Sequence, residues 1–236
     1  MSKLKFLGSG GAFSKIELNN SAYLTNNDTM ILLDCGETVF HRLLKIDILD
    51  NIKNLYIILT HFHSDHVGSL GSLVFYCRYK NIKCNIIFPK KNIVDNYLNI
   101  VGIDYSLYNF IYPNDVKEFY LKDYKQIHGD YRNNKLYIMP SYGYHLKYLD
   151  YNFYYSGDTT TINDEIIKKF NNGDIDIIYH EVSTDSFPVH FPIDKLCNCI
   201  DESKRNRVYC MHLSDNEDIE KIKNMGFNVV RRRIKK

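Results

Sequence analysis

Three histidines and an aspartate stand within six positions, in the run HFHSDH. The run begins one residue after the apolar stretch Leu55–Leu59. His61 and His63 are separated by one phenylalanine, and Asp65 and His66 follow after one serine. Residues two apart on an extended strand leave the same side, so the first two imidazoles are expected to face one point. Neutral imidazoles and a carboxylate are ligands that Zn²⁺ prefers. The run therefore predicts a metal site at a strand end, and its two-and-two division suits a pair of ions.

Other apolar runs of the β type also stop at polar residues, in LDCGE, SGDT, HEVS and MHLSD. Such runs recur throughout the chain with helical stretches between several of them, which predicts an α/β fold with layered sheets. If these strands share a sheet and a direction, their carboxyl ends gather the polar groups along one rim, where α/β folds place ligands. The sequence contains no repeat or linker, so one domain over residues 1–236 is predicted.

The charge balance of the chain argues against one class of function, that of a dedicated nucleic-acid binder. The 236 residues include 30 lysines and arginines against 28 aspartates and glutamates, so the chain lacks the basic field of a dedicated nucleic-acid binder. The basic block RRRIKK at 231–236 is interpreted as a solvated terminus.

No stretch approaches the roughly 20 apolar residues of a membrane span, and the first residues lack a signal-peptide layout. The scattered cysteines, including the C-x-C pair Cys197 and Cys199, are interpreted as reduced thiols. A cytoplasmic location is expected, in a bacterium or in the host if the chain is phage-encoded.

The HFHSDH run resembles the metal-binding signature of the metallo-β-lactamase superfamily, and the resemblance covers nearly the whole chain. FLGSGGAF and ILLDCGE look like the glycine-rich opening hairpin and the next strand of its ribonuclease Z-like branch. The resemblance implies an αββα sandwich that binds one or two metal ions. It also implies Asp158, in YYSGDT, as a carboxylate that bridges both ions, and His212, in YCMHLSD, as a ligand of the second. Taken alone, Asp158 would be a helix cap and His212 a packed histidine.

One ligand departs from the branch's pattern, which has a histidine several residues before its glycine-tyrosine pair, here Gly143–Tyr144. Two candidates remain. His128 follows a predicted strand upstream and is preferred, whereas His145 comes just after the pair and is as easily a solvent-facing strand residue. The resemblance then implies two Zn²⁺ ions, with Mn²⁺ as an alternative. The predicted ligands are His61, His63, Asp65, His66, His128, Asp158 and His212.

The segment HEVSTDSFPVHFP resembles the branch's His-Glu motif and the second histidine that follows it. His180 and Glu181 match the motif, and His190 matches the second histidine. Phosphodiester cleavage needs a proton donor for the departing alkoxide, and an imidazole oriented by a carboxylate supplies one near neutral pH. We therefore predict His190 as the general acid and Glu181 as the residue that orients it; a surface or helix-capping role is the alternative for Glu181. His180 is interpreted as structural, and His41 as a surface or packing residue.

The implied reaction is metal-assisted hydrolysis of a phosphodiester. Two ions about 3.5–4 Å apart would activate a water and neutralise the phosphoryl oxygens. Asp65 is placed both to ligate one ion and to orient the attacking group. The predicted catalytic residues are thus Asp65, Glu181 and His190.

Two phosphodiester substrates fit the branch. Ribonucleases that process tRNA 3′ ends usually carry a Gly/Pro-rich arm between the third and fourth metal motifs, and only 29 residues separate His128 from Asp158. The chain is more similar to the compact anti-Pycsar type, which hydrolyses 3′,5′-cyclic mononucleotides as a homodimer. Tyr142, Tyr144 and Phe187 are candidates to stack a base. The expected partners are a small nucleotide and a second copy of the chain, with RNA only under the tRNA alternative.

A hydrolase of another class stays open, namely a lactonase or thioesterase on the same metals. Glu181 and His190 argue against it because those reactions do not usually require that pair. A metal-binding module without catalysis is disfavoured, since every expected catalytic residue type is present.

Overall fold

Two six-stranded β-sheets form the framework of the computed structural model, which describes residues 3–133, 135–185 and 188–230. The strands of the first sheet are β1 (Lys5–Gly8), β2 (Ser21–Asn26), β3 (Thr29–Leu33), β4 (Asn54–Ile58), β5 (Lys83–Ile87) and β6 (Asn109–Ile111), in that spatial order. The remaining strands are β7 (Tyr120–Lys125), β8 (Gly129–Arg132), β9 (Lys135–Ile138), β10 (Tyr142–Tyr148), β11 (Tyr151–Tyr155), β12 (Ile177–Glu181), β13 (Val208–Met211) and β14 (Asn228–Val229). The second sheet has the order β14-β13-β12-β11-β10-β7, and β8 pairs with β9.

The central strands of the first sheet have the sequence expected of strands covered on both faces. β3, β4 and β5 run parallel to one another, and their runs MILL, LYII and CNII are buried throughout. Parallel sheets are covered on both faces, so the sequences of their strands are continuous apolar runs and do not alternate between apolar and polar residues.

Helices cover the outer face of each sheet. Their bounds are α1 (Val39–Lys45), α2 (Ser64–Val67), α3 (Leu70–Lys80), α4 (Lys91–Ile100), α5 (Asp164–Asn172), α6 (Ile193–Cys199) and α7 (Ile219–Asn224). Short 3₁₀ helices span Ile48–Asn51, Tyr105–Leu107, Pro113–Asp115 and Glu202–Arg207. One hydrophobic cluster joins the two sheets to α1, α3 and α4, and a second joins the second sheet to α5, α6 and α7. The predicted α/β sandwich is confirmed.

The strand ends that carry the polar groups belong to two sheets, which corrects the single rim considered above. β3 and β4 are parallel in the first sheet, and β11, β12 and β13 are parallel in the second. The two sets of carboxyl ends meet where the Tyr142 amide donates to the Thr60 carbonyl at 2.9 Å. Gly157, at φ +59°, packs so closely on Thr60 that a Cβ atom would lie 2.7 Å from its side chain. We call this junction the seam between the sheets.

Candidate active site

The first group of ligand-type side chains lies at the seam, where β4 ends. His61 is fully buried, and its Nε2 lies 3.1 Å from Nδ1 of His63. His128, between β7 and β8, places its Nε2 3.2 Å from the same Nδ1 atom. One nitrogen from each ring lies within 4.8 Å of the others. The structure thus brings the preferred upstream histidine beside the HFH segment.

The second group joins the HFHSDH run to the second sheet. α2 presents Asp65 and His66, while Asp158 follows β11 and His212 follows β13. Nε2 of His212 lies 3.1 Å from Asp65 and 3.3 Å from Asp158. Nε2 of His66 lies 3.3 Å from Asp65 and 3.4 Å from Asp158. All four residues are buried, so two carboxylates and two imidazoles face one another away from water.

Asp158 connects the two groups. Its Oδ2 lies 3.3 Å from His212 in the second group and 3.8 Å from Nε2 of His128 in the first. This is the position that a carboxylate shared by two ions would occupy. Asp158 is not the cap of the following helix, since the cap of α5 is Asn163, whose side chain accepts from the Glu165 amide.

The chemistry of the first group suits a divalent cation. Burial lowers the pKa of His61 well below its ordinary value and that of His128 to about 4. Burial also lowers the pKa of His63, although Asp158, Asp65 and Asp130 oppose this effect. The three imidazoles are therefore mostly neutral near pH 7, and nitrogens of His61 and His128 lie 3.1 and 3.2 Å from Nδ1 of His63. Neutral imidazole lone pairs are what Zn²⁺ binds.

The second group has buried polar atoms that lack a hydrogen-bond partner within the described ranges. Nε2 of His66 and Oδ1 of Asp158 are two such atoms. Burial alone would raise the pKa of Asp65 and Asp158, yet the neighbouring histidines hold both pKa values below their usual range. Buried carboxylates need compensating positive charge. Both groups therefore fit metal ions.

Asp34, which the sequence reasoning did not assign a role, fixes the orientation of His66. Its Oδ1 accepts the Thr60 amide at 2.7 Å, and its Oδ2 accepts the Thr60 hydroxyl and Nδ1 of His66, each at 2.9 Å. Nε2 of His66 therefore faces the second group. The signal was present in LDCGE, where β3 stops at a carboxylate, but only the fold shows that this carboxylate lies behind a ligand-type histidine.

Asp34→Asn is expected to weaken metal binding about 10- to 100-fold, the usual effect of removing an outer partner of a ligating histidine. Competition with a chromophoric chelator measures the affinity. Asp50→Asn, at an exposed position, is the matched control. An unchanged affinity in a folded Asp34→Asn protein would contradict this role.

A carboxylate and an imidazole form a pair at the edge of both groups. Glu181 closes β12 and is fully buried; its Oε1 accepts the Thr159 amide at 2.8 Å, and its Oε2 accepts Nδ1 of His190 at 2.9 Å. The alternative of a surface or capping carboxylate is therefore wrong. The ring of His190 lies 5.3 Å from that of His212 and 6.1 Å from that of His128.

The environment of this pair keeps a proton on the imidazole. Burial would lower the pKa of His190, but the Glu181 carboxylate more than offsets this and raises it to about 9. Burial raises the pKa of Glu181, while His190 lowers it. Since the Glu181 contact uses Nδ1, the proton on Nε2 is the one that a protonated His190 offers to another group.

Three other histidines lie outside the ligand groups. His180 is buried beside Phe191, with ring centroids 5.0 Å apart, and its Nδ1 donates to the Glu181 carbonyl at 2.6 Å, as expected of a structural residue. His145 is buried on β10 rather than facing solvent, and its Nε2 lies 2.9 Å from Oδ1 of Asn152. His41 is exposed on α1.

The aromatic residues suggested for base stacking do not line the site as expected. Tyr144 is fully buried, and its hydroxyl donates to the Leu59 carbonyl at 2.8 Å. Tyr142 packs edge-to-face on Phe88 in the core between the sheets. Both tyrosines are therefore core residues, because they lie on the face of β10 that packs against the first sheet. Phe187 lies outside the described residues, as does the basic segment 231–236.

His128→Ala is expected to cost metal, whereas His145→Ala is expected to leave the metal content unchanged, because only His128 lies within the first group. Both histidines are nearly fully buried, so the pair is matched for the effect of removing a buried imidazole. Elemental analysis of the purified proteins measures the content. Metal loss in His145→Ala alone would reverse the assignment.

Comparison with known proteins identifies the family. The family model of the Anti-Pycsar protein Apyc1 matches residues 2–234. The chain belongs to this family. The Anti-Pycsar protein Apyc1 of Bacillus phage BSP38 is 28% identical over 241 residues, which cover 91% of this chain and 90% of the relative.

Solved structures that superpose on this chain have the metallo-β-lactamase fold. The metallo-β-lactamase fold protein YhfI of Bacillus subtilis superposes with a TM-score of 0.75 at 16% identity, covering 97% of this chain and 95% of that one. The short form of human tRNase Z gives a TM-score of 0.68 at 16% identity, covering 98% and 97%. The predicted family and metallo-β-lactamase fold are confirmed, and with the His/Asp groups they agree with the predicted class of metal-dependent hydrolase.

The described helices include none with both the length and the apolar character that a membrane crossing requires. The cytoplasmic location stays a prediction.

Proposed function

We propose that this protein hydrolyses a small nucleotide phosphodiester, with 3′,5′-cyclic mononucleotides as the preferred substrates. The observation that carries the proposal is the buried Glu181–His190 pair beside two ligand groups that share Asp158. Hydrolysis of a diester releases an alkoxide that needs a proton, and this pair supplies one. Membership of the Anti-Pycsar Apyc1 family supports the choice of a cyclic nucleotide.

The residues that would hold two metal ions are the members of the two groups. His61, His63 and His128 would hold one ion, and Asp65, His66 and His212 the other, with Asp158 between them. When bound, such ions supply an activated water and neutralise charge on the phosphoryl oxygens. Zn²⁺ is the preferred metal for these nitrogen and oxygen ligands, and Mn²⁺ is the alternative.

The protein's own groups have separate tasks in this scheme. His190 donates the Nε2 proton to the leaving oxygen, while Glu181 holds Nδ1 and stabilises the protonated ring. The Thr159 amide bonds the other oxygen of Glu181 and so fixes the carboxylate. Asp65 belongs to the second group, and its two carboxylate oxygens allow it to accept a hydrogen bond from the attacking water as well as to ligate an ion.

Processing of tRNA 3′ ends is the second candidate, since the short form of human tRNase Z shares the fold. Two features disfavour it. The segment from His128 to Asp158 is occupied by β8, β9, β10 and β11 rather than by a Gly/Pro-rich arm, and the near balance of acidic and basic residues offers little attraction for a large polyanion.

Hydrolysis assays on metal-loaded protein separate the candidates. The substrates are 3′,5′-cyclic CMP, UMP, AMP and GMP, a 3′-extended precursor tRNA, bis-p-nitrophenyl phosphate, a lactone and a thioester. We expect turnover of cyclic nucleotides and intact tRNA. Cleavage of the tRNA alone would establish tRNA 3′-end processing as the function. Turnover confined to the lactone or thioester would contradict the phosphodiesterase proposal.

A homodimer is part of the same proposal, because the resemblance implies one. Light scattering of the purified protein measures the mass. A monomeric mass under the conditions of turnover would remove the second copy from the scheme.

A further inference from the structure

The segment that carries His190 is held from both sides. Val189, the residue before it, has a carbonyl that accepts a hydrogen bond from Nδ1 of His128 at 3.1 Å. Phe191, the residue after it, has a carbonyl that accepts the Ser183 amide at 2.9 Å. We call these three consecutive residues the acid segment. Its position is set by a proposed metal ligand on one side and by the chain that follows β12 on the other.

The contact with His128 connects the acid segment to the first ligand group. A carbonyl oxygen only accepts hydrogen bonds, so Nδ1 of His128 carries the proton. A neutral His128 then has its lone pair on Nε2, the nitrogen that lies 3.2 Å from Nδ1 of His63. Outer partners of this kind orient ligating histidines. The Val189 carbonyl therefore fixes a proposed metal ligand and is itself joined directly to the proposed acid.

Ser183 links the acid segment to a third part of the chain. Its amide bonds the Phe191 carbonyl, and its own carbonyl accepts the Ile193 amide at 3.0 Å, so Ser183 forms an isolated bridge with Pro192. Its hydroxyl donates to Oε1 of Glu217 at 3.0 Å. Ser183 is 5% exposed, so these bonds are shielded from water. The carboxylate of Glu217 thus reaches the residue that pairs with the carboxyl side of the acid segment.

Glu217 also bonds the next residue of the chain. Its carboxylate accepts the Thr184 amide at 2.5 Å and the Thr184 hydroxyl. Hydrogen bonds to an ionised acceptor are roughly twice as strong as those between neutral groups. Glu217 lies between β13 and α7, in the same loop as His212. The loop after β12, which leads to the acid, and the loop after β13, which carries a proposed metal ligand, are thereby joined through this carboxylate.

We infer that Glu217 is a positioning residue for His190. Its carboxylate fixes Ser183 and Thr184. Ser183 fixes the backbone of the acid segment, and that backbone holds Nδ1 of His190 2.9 Å from Oε2 of Glu181. The inference rests on the proposed function, in which His190 is the general acid, and it adds a residue outside the ligand groups on which that acid depends.

Glu217→Ala is expected to lower the turnover of a cyclic nucleotide about 10- to 100-fold, because a displacement of about 1 Å at a reacting group can cost about 10²-fold. The metal content of Zn²⁺-loaded protein should equal that of the wild type, since Glu217 belongs to neither ligand group. Glu217→Gln keeps one acceptor oxygen and should recover part of the loss. Glu220→Ala removes an exposed carboxylate from the first turn of α7 and is the matched control, with wild-type turnover.

Two further measurements separate a displaced acid from a damaged fold. The loss should be larger on a cyclic nucleotide than on bis-p-nitrophenyl phosphate, whose leaving group needs less protonation, whereas loss of folded protein lowers both rates by the same factor. Proton NMR follows the acid without catalysis. The proton between Nδ1 of His190 and Glu181 is expected to give a far-downfield resonance that His190→Ala abolishes. This resonance should weaken in Glu217→Ala and persist in Glu220→Ala.

Three results would overturn the inference: equal losses on the two diesters, an unchanged His190 resonance in Glu217→Ala, or a loss of metal from that variant. Circular dichroism checks that the variants fold, and if Glu217→Ala does not, the same comparisons apply to Glu217→Gln with smaller expected losses. Failure of the proposed function has a different signature. The wild type would then hydrolyse no cyclic nucleotide, while the His190 resonance would still depend on Glu217.

Discussion

His190→Ala is expected to lower the turnover of a phosphodiester about 10²- to 10⁴-fold, the usual contribution of a positioned general acid. Metal content should not change, because Nδ1 of His190 is bonded to Glu181 and the proposed ligands are other side chains. Steady-state kinetics on a cyclic nucleotide, beside elemental analysis of the same sample, measures both quantities. If the substitution instead empties a metal site, His190 is a ligand and not the acid.

The pH dependence distinguishes an acid from a merely structural histidine. A general acid acts in its protonated form, so the wild-type rate should fall as the pH rises through the pKa of His190, which Glu181 raises. The His190→Ala variant should lack this alkaline fall. A substrate with a p-nitrophenolate leaving group needs less protonation, so the variant should lose less activity on it than on a cyclic nucleotide. Equal losses on both substrates would contradict the role of His190 as an acid.

Asp158→Ala is expected to reduce metal binding at both ligand groups and to abolish detectable turnover. Its carboxylate lies within 3.4 Å of His66 and His212 in the second group and 3.8 Å from His128 in the first, so its removal affects both groups. The loss of metal affinity should exceed the 10- to 100-fold that is typical of an outer partner. Elemental analysis and chelator competition measure it.

Removal of a buried charge can itself unfold a protein, so the Asp158 test needs controls. Asp158→Asn keeps the shape and one oxygen ligand, and it should retain more metal than Asp158→Ala. Asp164→Asn, in the exposed first turn of α5, controls for loss of a nearby acidic charge. A folded Asp158→Ala protein with wild-type metal content would show that Asp158 is not shared between two ions.

The spacing of residues in the sequence was sufficient to predict those parts of the site that come from one short continuous segment. HFHSDH places its ligands through strand and turn geometry, and the strand ends SGDT, HEVS and MHLSD marked where the second sheet contributes. The fold class followed from the same runs, since continuous apolar stretches such as MILL indicate strands covered on both faces.

What the sequence left open depends on contacts between distant segments. The role of Asp34 requires β3 and β4 to be neighbours, which pairing decides and spacing does not. His128 and His145 were similar as sequence candidates, and only the position of β10 inside its sheet buries His145 away from the ligand groups. Tyr142 and Tyr144 lie on the other face of β10, and their burial between the sheets removes them as stacking residues. The sequence does not predict the hairpin of β8 and β9, because its short strands carry mixed polar and apolar residues.

The seam between the sheets has a thermodynamic consequence. Since the two ligand groups draw on both halves of the sandwich, bound ions would cross-link them, and opening of the sandwich would release the ions in the same event. Ligands that bind only the folded state raise its stability in proportion to the logarithm of their free concentration. The midpoint of thermal unfolding should therefore rise steadily with added Zn²⁺ and fall with a chelator, so metal supply would determine how much folded protein a cell retains.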